Sequence, residues 1–529
     1  MASSSPESAP FCLTPLDNVT GAPYVHKALF FPASGSDVSS LVQNMTSALA
    51  QTFNAMPLLA GTVTLLPDTL QRGRLAVTAP WRTAEDALMV KDLRETDYPS
   101  YEALRSKQFP RRDLNYTILL PTERSMHIPM VKPLEWDERP VLLAQINLIK
   151  GGMILGFIID HAFVDGAGSV TISRVWAAYC RGEDGSQLVS PDIVNRTQLL
   201  EGDESAKFED FRGYIYNPVP NVPAPTLGFL SRVFRNLRLW VAPSFRSFFD
   251  FGLNAMDHLK AILRAGPAGD TSRSEPNPVT GEIFFFSKAK LKDLKEMASR
   301  LESDEKSWIS TNDALASLLW CCITAAHKID FYKNLESNRD KNSSVNLNAN
   351  DESSLLGFVI DSRRLLRPPM PAGSIGNVLI WEAIIEPFNT VVPTAEGVTE
   401  CAHSLRRKMK QFDDAYLPRL IGALKSVPDI GRVSLNLMGY DEQSVVVNSW
   451  AAQGWYDLDW GRVVGGRCER IRLHESLIQN FCHVLPELKG CEGSKEAAGL
   501  EVCVGLKTNH MKLLRENELF NRFAEWRCS

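Results

Sequence analysis

The stretch "VLLAQINLIKGGMILGFIIDHAFVDG", Val141 to Gly166, decides the fold class. Two apolar runs flank Lys150-Gly151-Gly152, a turn sequence, so the pair predicts a β-hairpin. The second run ends on Asp160 and His161, and Asp165-Gly166 follows after three residues. Beyond it, "SVTISRVWAAYCRG" predicts a helix up to Gly182. A strand therefore feeds a helix through a turn that carries a histidine. A neutral imidazole, with an unperturbed pKa of about 6.5, is the usual general base near pH 7. Such a base takes a proton from an alcohol or amine as that group attacks a carbonyl. The bland reading is a strand end capped by His161, with Asp165 opening a turn.

On the N-terminal side, Tyr24 to Phe31 predicts a strand. "DVSSLVQNMTSALAQTFNAMPLLAG" predicts a helix, with Leu41, Met45, Leu49 and Phe53 on one face and Pro57 and Gly61 ending it. "RGRLAVTA" reads as a short alternating strand. From 183 to 280 the composition changes. "YNPVPNVPAPTLGF" is rich in proline, which disfavours helix and sheet interiors, so an inter-domain crossover is placed there. A second domain begins with the strand "EIFFFS", followed by the charged helix "KAKLKDLKEMASRLES". Next comes the helix "SWISTNDALASLLWCCITAAHK", with Ser310 or Thr311 as N-cap. "NLESNRDKNSSVNLNANDESS" reads as a mobile loop. "LLGFVIDSRR", "SVVVNSW", "RCERIRLH", "SLIQNFCHVLP" and "GLEVCVGL" supply further strands. Strands and helices mix in both halves, so the class is α/β or α+β. The expected division is 1–220, a crossover at 221–280, and 281–529.

Bulk properties exclude several functions. With 529 residues the chain is longer than one hydrophobic core usually serves. A net charge of −5 leaves no electrostatic footprint for nucleic acid. Ten cysteines form no C-x-x-C pair, so no metal site is expected. "MASSSPESAPFCL" lacks the features of a secretory signal, and no run reaches eighteen apolar residues. A soluble cytoplasmic protein is expected. The arginine and aromatic stretch from Phe229 to Phe251 reads as a crossover helix packed on the domains; weak peripheral contact with a membrane is its second reading. His26, His127, His258, His327, His403, His474, His483 and His510 have no partner spacing and read as surface or core residues.

No G-x-S-x-G elbow is present, which disfavours a serine nucleophile. Downstream lie two more segments, "IDSRRLLRPPMPAGSIGNV" and "NSWAAQGWYDLDWGRVVGG". With His161, Asp165 and Gly166 as H-x-x-x-D-G, these resemble the BAHD acyltransferase family, especially its fungal branch of trichothecene-acetyltransferase-like enzymes. Asp361, Arg363, Pro368, Gly376 and Asn377 match that family's Asp-x-Arg, proline and Gly-Asn segment. Ser449-Trp450 matches its Ser-Trp, which places Asp459-Trp460-Gly461 on the start of its Asp-Phe-Gly-Trp-Gly signature. Arg462 and Val463 depart from the last two positions. "TPLDN", "MPLLAG" and "STNDALASLLW" fall in the family's order, so the likeness spans nearly the whole chain.

The resemblance implies two similar domains of chloramphenicol-acetyltransferase type, with a solvent channel at their interface. It implies acyl-CoA as co-substrate, with acetyl-CoA expected and no metal. The partner would be a small hydroxylated acceptor, and the chain a monomer. His161 would be the general base. Asp165 would point away from the site and pair with an arginine, for which Arg363 is nominated. Asn448, Ser449, Trp450 and Asn377 are the candidates to line the channel, and Asp459 and Gly461 would shape a distant turn. Two alternatives stay open. One is a condensation-type or N-acyl-transferring enzyme of the same superfamily, although position 160 is Asp where condensation domains carry the first His of His-His-x-x-x-Asp-Gly. The other is a non-catalytic relative that binds a ligand in the same scaffold.

Overall fold

A computed structural model describes residues 9–20, 24–33, 35, 37–66, 71–79, 81–121, 139–216, 277–300, 308–339, 353–436, 444–473, 478–489 and 498–529. The expected stretch from Phe229 to Phe251 lies outside them, as does most of the crossover.

The hairpin forms from Leu142–Ile149 and Gly152–Asp160 and sits inside a five-stranded sheet. The order is Arg470–Leu473, Tyr24–Pro32, Gly152–Asp160, Leu142–Ile149, Leu88–Asp92. Every residue of Leu142–Ile149 is buried, and Gln145 and Asn147, which interrupt its apolar run, are satisfied there: Gln145 Nε2 donates to the Ile118 carbonyl at 2.7 Å and Asn147 Nδ2 to the Leu119 carbonyl at 2.9 Å. Each such Leu or Ile contributes about 1.5–3 kcal/mol through burial. The helices Val38–Ala55 and Gly166–Cys180 pack together beside this sheet, with Trp176 Nε1 donating to the Met45 carbonyl at 3.1 Å. Asp37 caps the first of them, accepting from the Ser40 amide at 2.9 Å. Leu75–Thr78 forms, but Leu75, Ala76 and Val77 are all buried rather than alternating, since a second small sheet holds the strand between two neighbours.

A seven-stranded sheet dominates the other half. Its order is Leu379–Pro387, Ser353–Asp361, Ser444–Ser449, Phe481–Val484, Gly499–Lys507, Val279–Ser287, Glu525–Cys528. The helix Thr311–Arg339 packs against it and against Ala395–Met409. Ser310 is its N-cap: the Asp313 amide donates to Ser310 Oγ at 3.1 Å, and the Ser310 amide donates back to Asp313 Oδ2 at 2.6 Å. This helix continues to Arg339 and the strand starts at Ser353, so the expected loop is helical at its start and extended at its end. The strand Leu379–Pro387 and the helices Ala395–Met409 and Tyr416–Ser426 were not anticipated.

Two hydrophobic cores follow the two sheets, but neither divides at one point in the chain. Trp455, Leu458, Trp460, Val464 and Ile471 join the first core, although they lie inside 281–529. Leu16, Leu199, Phe211 and Tyr214 join the second, although they lie inside 1–220. The physical reason is strand exchange: Arg470–Leu473 pairs antiparallel with Tyr24–Pro32 and carries its flanks with it.

A buried ion cluster fastens the same crossing. Arg472 Nη1 lies 2.8 Å from Glu501 Oε2, and both side chains are nearly inaccessible. Arg472 also donates to the carbonyls of Phe109 at 2.9 Å and Gln108 at 2.7 Å. Arg527 reaches Glu501 Oε1 at 3.1 Å. Burial alone would push the Glu501 carboxyl up, but Arg472 and Arg470 outweigh it and hold the pKa at about 2.

Candidate active site

The histidine strand ends in a tight turn built around Asp160. That carboxylate is wholly buried, accepts from the Ala162 amide at 2.9 Å, and pairs with Arg139 Nε at 2.8 Å. Burial pushes its pKa up to about 6 against the pull of Arg139. Ala162, Phe163 and Val164 are buried, while His161 is half-buried. The three-residue gap in H-x-x-x-D thus has a structural meaning. It is the length of chain that turns from the strand end to the N-cap of the next helix.

Asp165 is that N-cap, accepting from the Gly168 amide at 3.0 Å. Arg363 Nη2 lies 2.9 Å from each of its oxygens, and the Val378 amide donates to Oδ2 at 3.1 Å. Both side chains are almost inaccessible. A carboxylate so fully occupied holds the loop and is not placed to take a proton from a substrate. Arg363 is held in turn by the Ser374 carbonyl at 2.9 Å and by Asp361 at 3.0 Å. Gly166 opens the helix because the chain approaches closely there. A Cβ would stand 2.4 Å from Gln453 Nε2, a side chain of the segment after Trp450. His161 therefore lies on the seam between the two sheets' domains.

Asn377 occupies a different place from the one expected. Its side chain donates to the His161 carbonyl at 2.8 Å and to Asp17 Oδ1 at 3.0 Å, and it is 2% exposed. It stands behind the histidine loop rather than facing an open channel, because its two amide hydrogens are spent on buried acceptors.

Asn448 and Ser449, half-buried, end the strand Ser444–Ser449. Asn448 Nδ2 lies 3.2 Å from His483 Nε2 on the parallel neighbour strand. The ring of Trp450 meets His483 edge-on at 5.2 Å. Lys27 Nζ lies 5.2 Å from the Trp450 ring, 5.2 Å from Trp455 and 5.4 Å from Phe157. An aromatic cage thus surrounds a fully buried ammonium beside the histidine strand. Burial pushes the thiols of Cys180 and Cys468 up to about 12, so neither is a thiolate nucleophile.

Asp459 and Gly461 lie elsewhere. Asp459 Oδ1 accepts from the Gly461 amide at 2.8 Å, and its carbonyl accepts from Arg181. Gly461 has φ +82°, a backbone conformation that suits glycine. Trp460, fully buried, packs edge-on against Trp176 at 5.4 Å. Arg181 follows the far end of the fifteen-residue helix that Asp165 caps, about 22 Å along its axis. This turn serves the first core.

A family model described as the Transferase family matches residues 256–520, half of the chain. The chain belongs to the BAHD transferase family. A second model, described as the trichothecene 3-O-acetyltransferase-like N-terminal domain, matches residues 24–180 and so includes the histidine hairpin. Among curated relatives of this BAHD chain is an acyltransferase of Botryotinia fuckeliana, 24% identical, covering 97% of this chain and 96% of that one. An eremophilane O-acetyltransferase of Penicillium roqueforti is also 24% identical, covering 97% and 98%. Of solved structures, the Fusarium sporotrichioides enzyme crystallised with coenzyme A and T-2 shares the fold, with a TM-score of 0.68, 19% identity and coverage of 98% and 100%. Vinorine synthase follows at a TM-score of 0.53 and 15% identity, covering 97% and 93%. These likenesses fix the two-domain BAHD fold.

Sequence reading missed the roles of Asp17, Lys27, Arg139 and Arg196; His483, read as a surface or core residue, is buried. Thr14 and Asp17 form a capping box, and its T-x-x-D spacing was the one signal available. The other three carry no local signature, since their partners lie 21 residues away or more, beyond any one turn or strand. Among the described residues no three His, Cys, Asp or Glu side chains group as metal ligands, and no helix is long and apolar enough to cross a membrane.

Proposed function

We propose that this BAHD chain moves an acyl group from acyl-CoA, with acetyl-CoA the favoured donor, to a hydroxyl of a small secondary metabolite. The observation that carries this reading is the half-buried His161 at the domain seam, its loop locked from behind by the Asp165–Arg363 pair. Curated relatives named as O-acetyltransferases and acyltransferases support it over almost the full chain length.

In the proposed reaction the acceptor O–H gives its proton to the His161 imidazole while its oxygen bonds to the thioester carbonyl carbon. A tetrahedral oxyanion forms. It collapses with loss of the C–S bond, and the imidazolium returns the proton to the leaving thiolate, releasing free CoA and the ester. The Asn448 amide, the Ser449 hydroxyl and the Trp450 indole are the proposed donors toward the substrates. One donor aimed at the oxyanion contributes on the order of 3 kcal/mol. Asp165, Gly166 and Arg363 hold the loop; Asp459 and Gly461 take no part in the chemistry. We place the enzyme in the cytoplasm as a monomer. A condensation-type reaction is disfavoured because Asp160, at the position of that class's first histidine, is consumed by Arg139.

The test is free-thiol release from acetyl-CoA by wild type and His161→Ala over hydroxylated polyketides, terpenoids and alkaloids. General-base catalysis of this kind gives a fall of about 100-fold or more in the variant. Equal release from both proteins would remove His161 from the chemistry.

A further inference from the structure

Asp17 lies 144 residues before His161 in the sequence, on a single helical turn, Pro15–Asn18. Its carboxylate is fully buried and accepts five hydrogen bonds. The Thr14 amide and hydroxyl reach Oδ2 at 2.9 and 2.8 Å. Arg196 Nη1 reaches the same oxygen at 3.0 Å. The Asn377 amide and side chain reach Oδ1 at 2.8 and 3.0 Å.

Two of these donors have a second hand on the histidine loop. Asn377 Nδ2 also donates to the His161 carbonyl at 2.8 Å, and Arg196 Nη2 donates to the Phe163 carbonyl at 3.0 Å. The Arg196 guanidinium further covers the Phe163 ring at 4.8 Å. Asp165 fixes the helix end of the loop, and this second carboxylate grips its strand end. A buried carboxylate needs its charge neutralised and its lone pairs filled. Asp17 meets that need with groups whose remaining donors point at the backbone of residues 161 and 163. With five hydrogen bonds on the Asp17 carboxylate and both Asn377 amide hydrogens used, the network holds the loop at several points, and a fixed geometry at a general base is what proton transfer requires.

We propose that Asp17 is a positioning residue for acyl transfer, acting on His161 through Asn377 and Arg196. The idea rests on His161 being the base of the proposed reaction. Asn377→Ala and Arg196→Met test it, because Asp17→Ala itself removes the hub of a buried network and endangers folding. Ser354→Ala is the comparison: it removes a buried hydroxyl, 2.8 Å from Trp320 Nε1, in the second core and far from the loop.

Each protein is assayed for kcat and for the KM of acetyl-CoA, well below its unfolding midpoint. The expected result is a kcat lower by about tenfold or more in Asn377→Ala and Arg196→Met, with KM little changed, since misplacement of a reacting group acts on the chemical step. Ser354→Ala should lose midpoint but keep its kcat. Unchanged kcat in both loop variants would overturn the proposal. So would a raised KM at constant kcat in Asn377→Ala, which would make that residue a substrate contact. A wild type that releases no thiol, or a His161→Ala variant as active as wild type, would instead sink the acyltransfer reading itself.

Discussion

Replacing Asp165 with alanine should remove about 4 kcal/mol of folding stability. The carboxylate accepts from Arg363 at 2.9 Å on both oxygens, from the Gly168 amide at 3.0 Å and from the Val378 amide at 3.1 Å. Losing one partner of a buried ion pair costs about 3–5 kcal/mol, because the other charge stays buried. Losing a helix N-cap adds about 1 kcal/mol. The total falls short of the upper sum because Arg363 keeps Asp361, the Ser374 carbonyl and the Gly376 carbonyl. That is a large share of the roughly 5–15 kcal/mol by which a folded domain exceeds its unfolded chain. Urea unfolding followed by tryptophan fluorescence measures it. The double variant Asp165→Ala/Arg363→Met removes both charges and should be less destabilised than the sum of its singles, by about 2 kcal/mol. A single-variant cost below about 1 kcal/mol, or strict additivity in the cycle, would refute the view that this pair is a buried, mutually dependent clamp.

Two further outcomes follow from the geometry. Glu501 sits near a pKa of about 2, below the usual carboxylate range, so its contribution is present above pH 4.5 and lost as pH falls toward 2. That contribution is about 3 kcal/mol, and Glu501→Gln should flatten this part of the profile of urea midpoint against pH while destabilising the protein at neutral pH. Gly461→Ala forces a side chain into φ +82° and should cost about 1–2 kcal/mol, with kcat/KM for thiol release retained, since the turn lies at the far end of the helix from His161.

Much of this protein was legible along the chain because the signals are local. The hairpin reads from two apolar runs and a glycine turn. The helix start at Ser310 read from capping chemistry, whereas the Asp37 cap came from the structure. The histidine loop reads from the meeting of strand, turn and helix, while the role of Asp165 as the N-cap of that helix came from the structure. The resemblance supplied Arg363 as the partner of Asp165, 198 residues away.

The remaining features needed the tertiary structure, for the same physical reason in each case. Arg470–Leu473 was legible as a strand, but its choice of sheet depends on edge pairing with Tyr24–Pro32, which leaves no mark in its own residues. Asn377 has the identity of a substrate-facing amide, and only its distances to His161 and Asp17 turn it inward. Lys27 reads as an ordinary strand lysine until Phe157, Trp450 and Trp455 close around it. The sequence by itself determined the local elements and the chemical nature of the base, because these follow from neighbours within one turn or one strand. Only the tertiary structure decided what grips that base, because burial and hydrogen-bond partnership are settled by residues separated by anything from 33 positions, as for Arg196 and Phe163, to 216, as for Asn377 and His161.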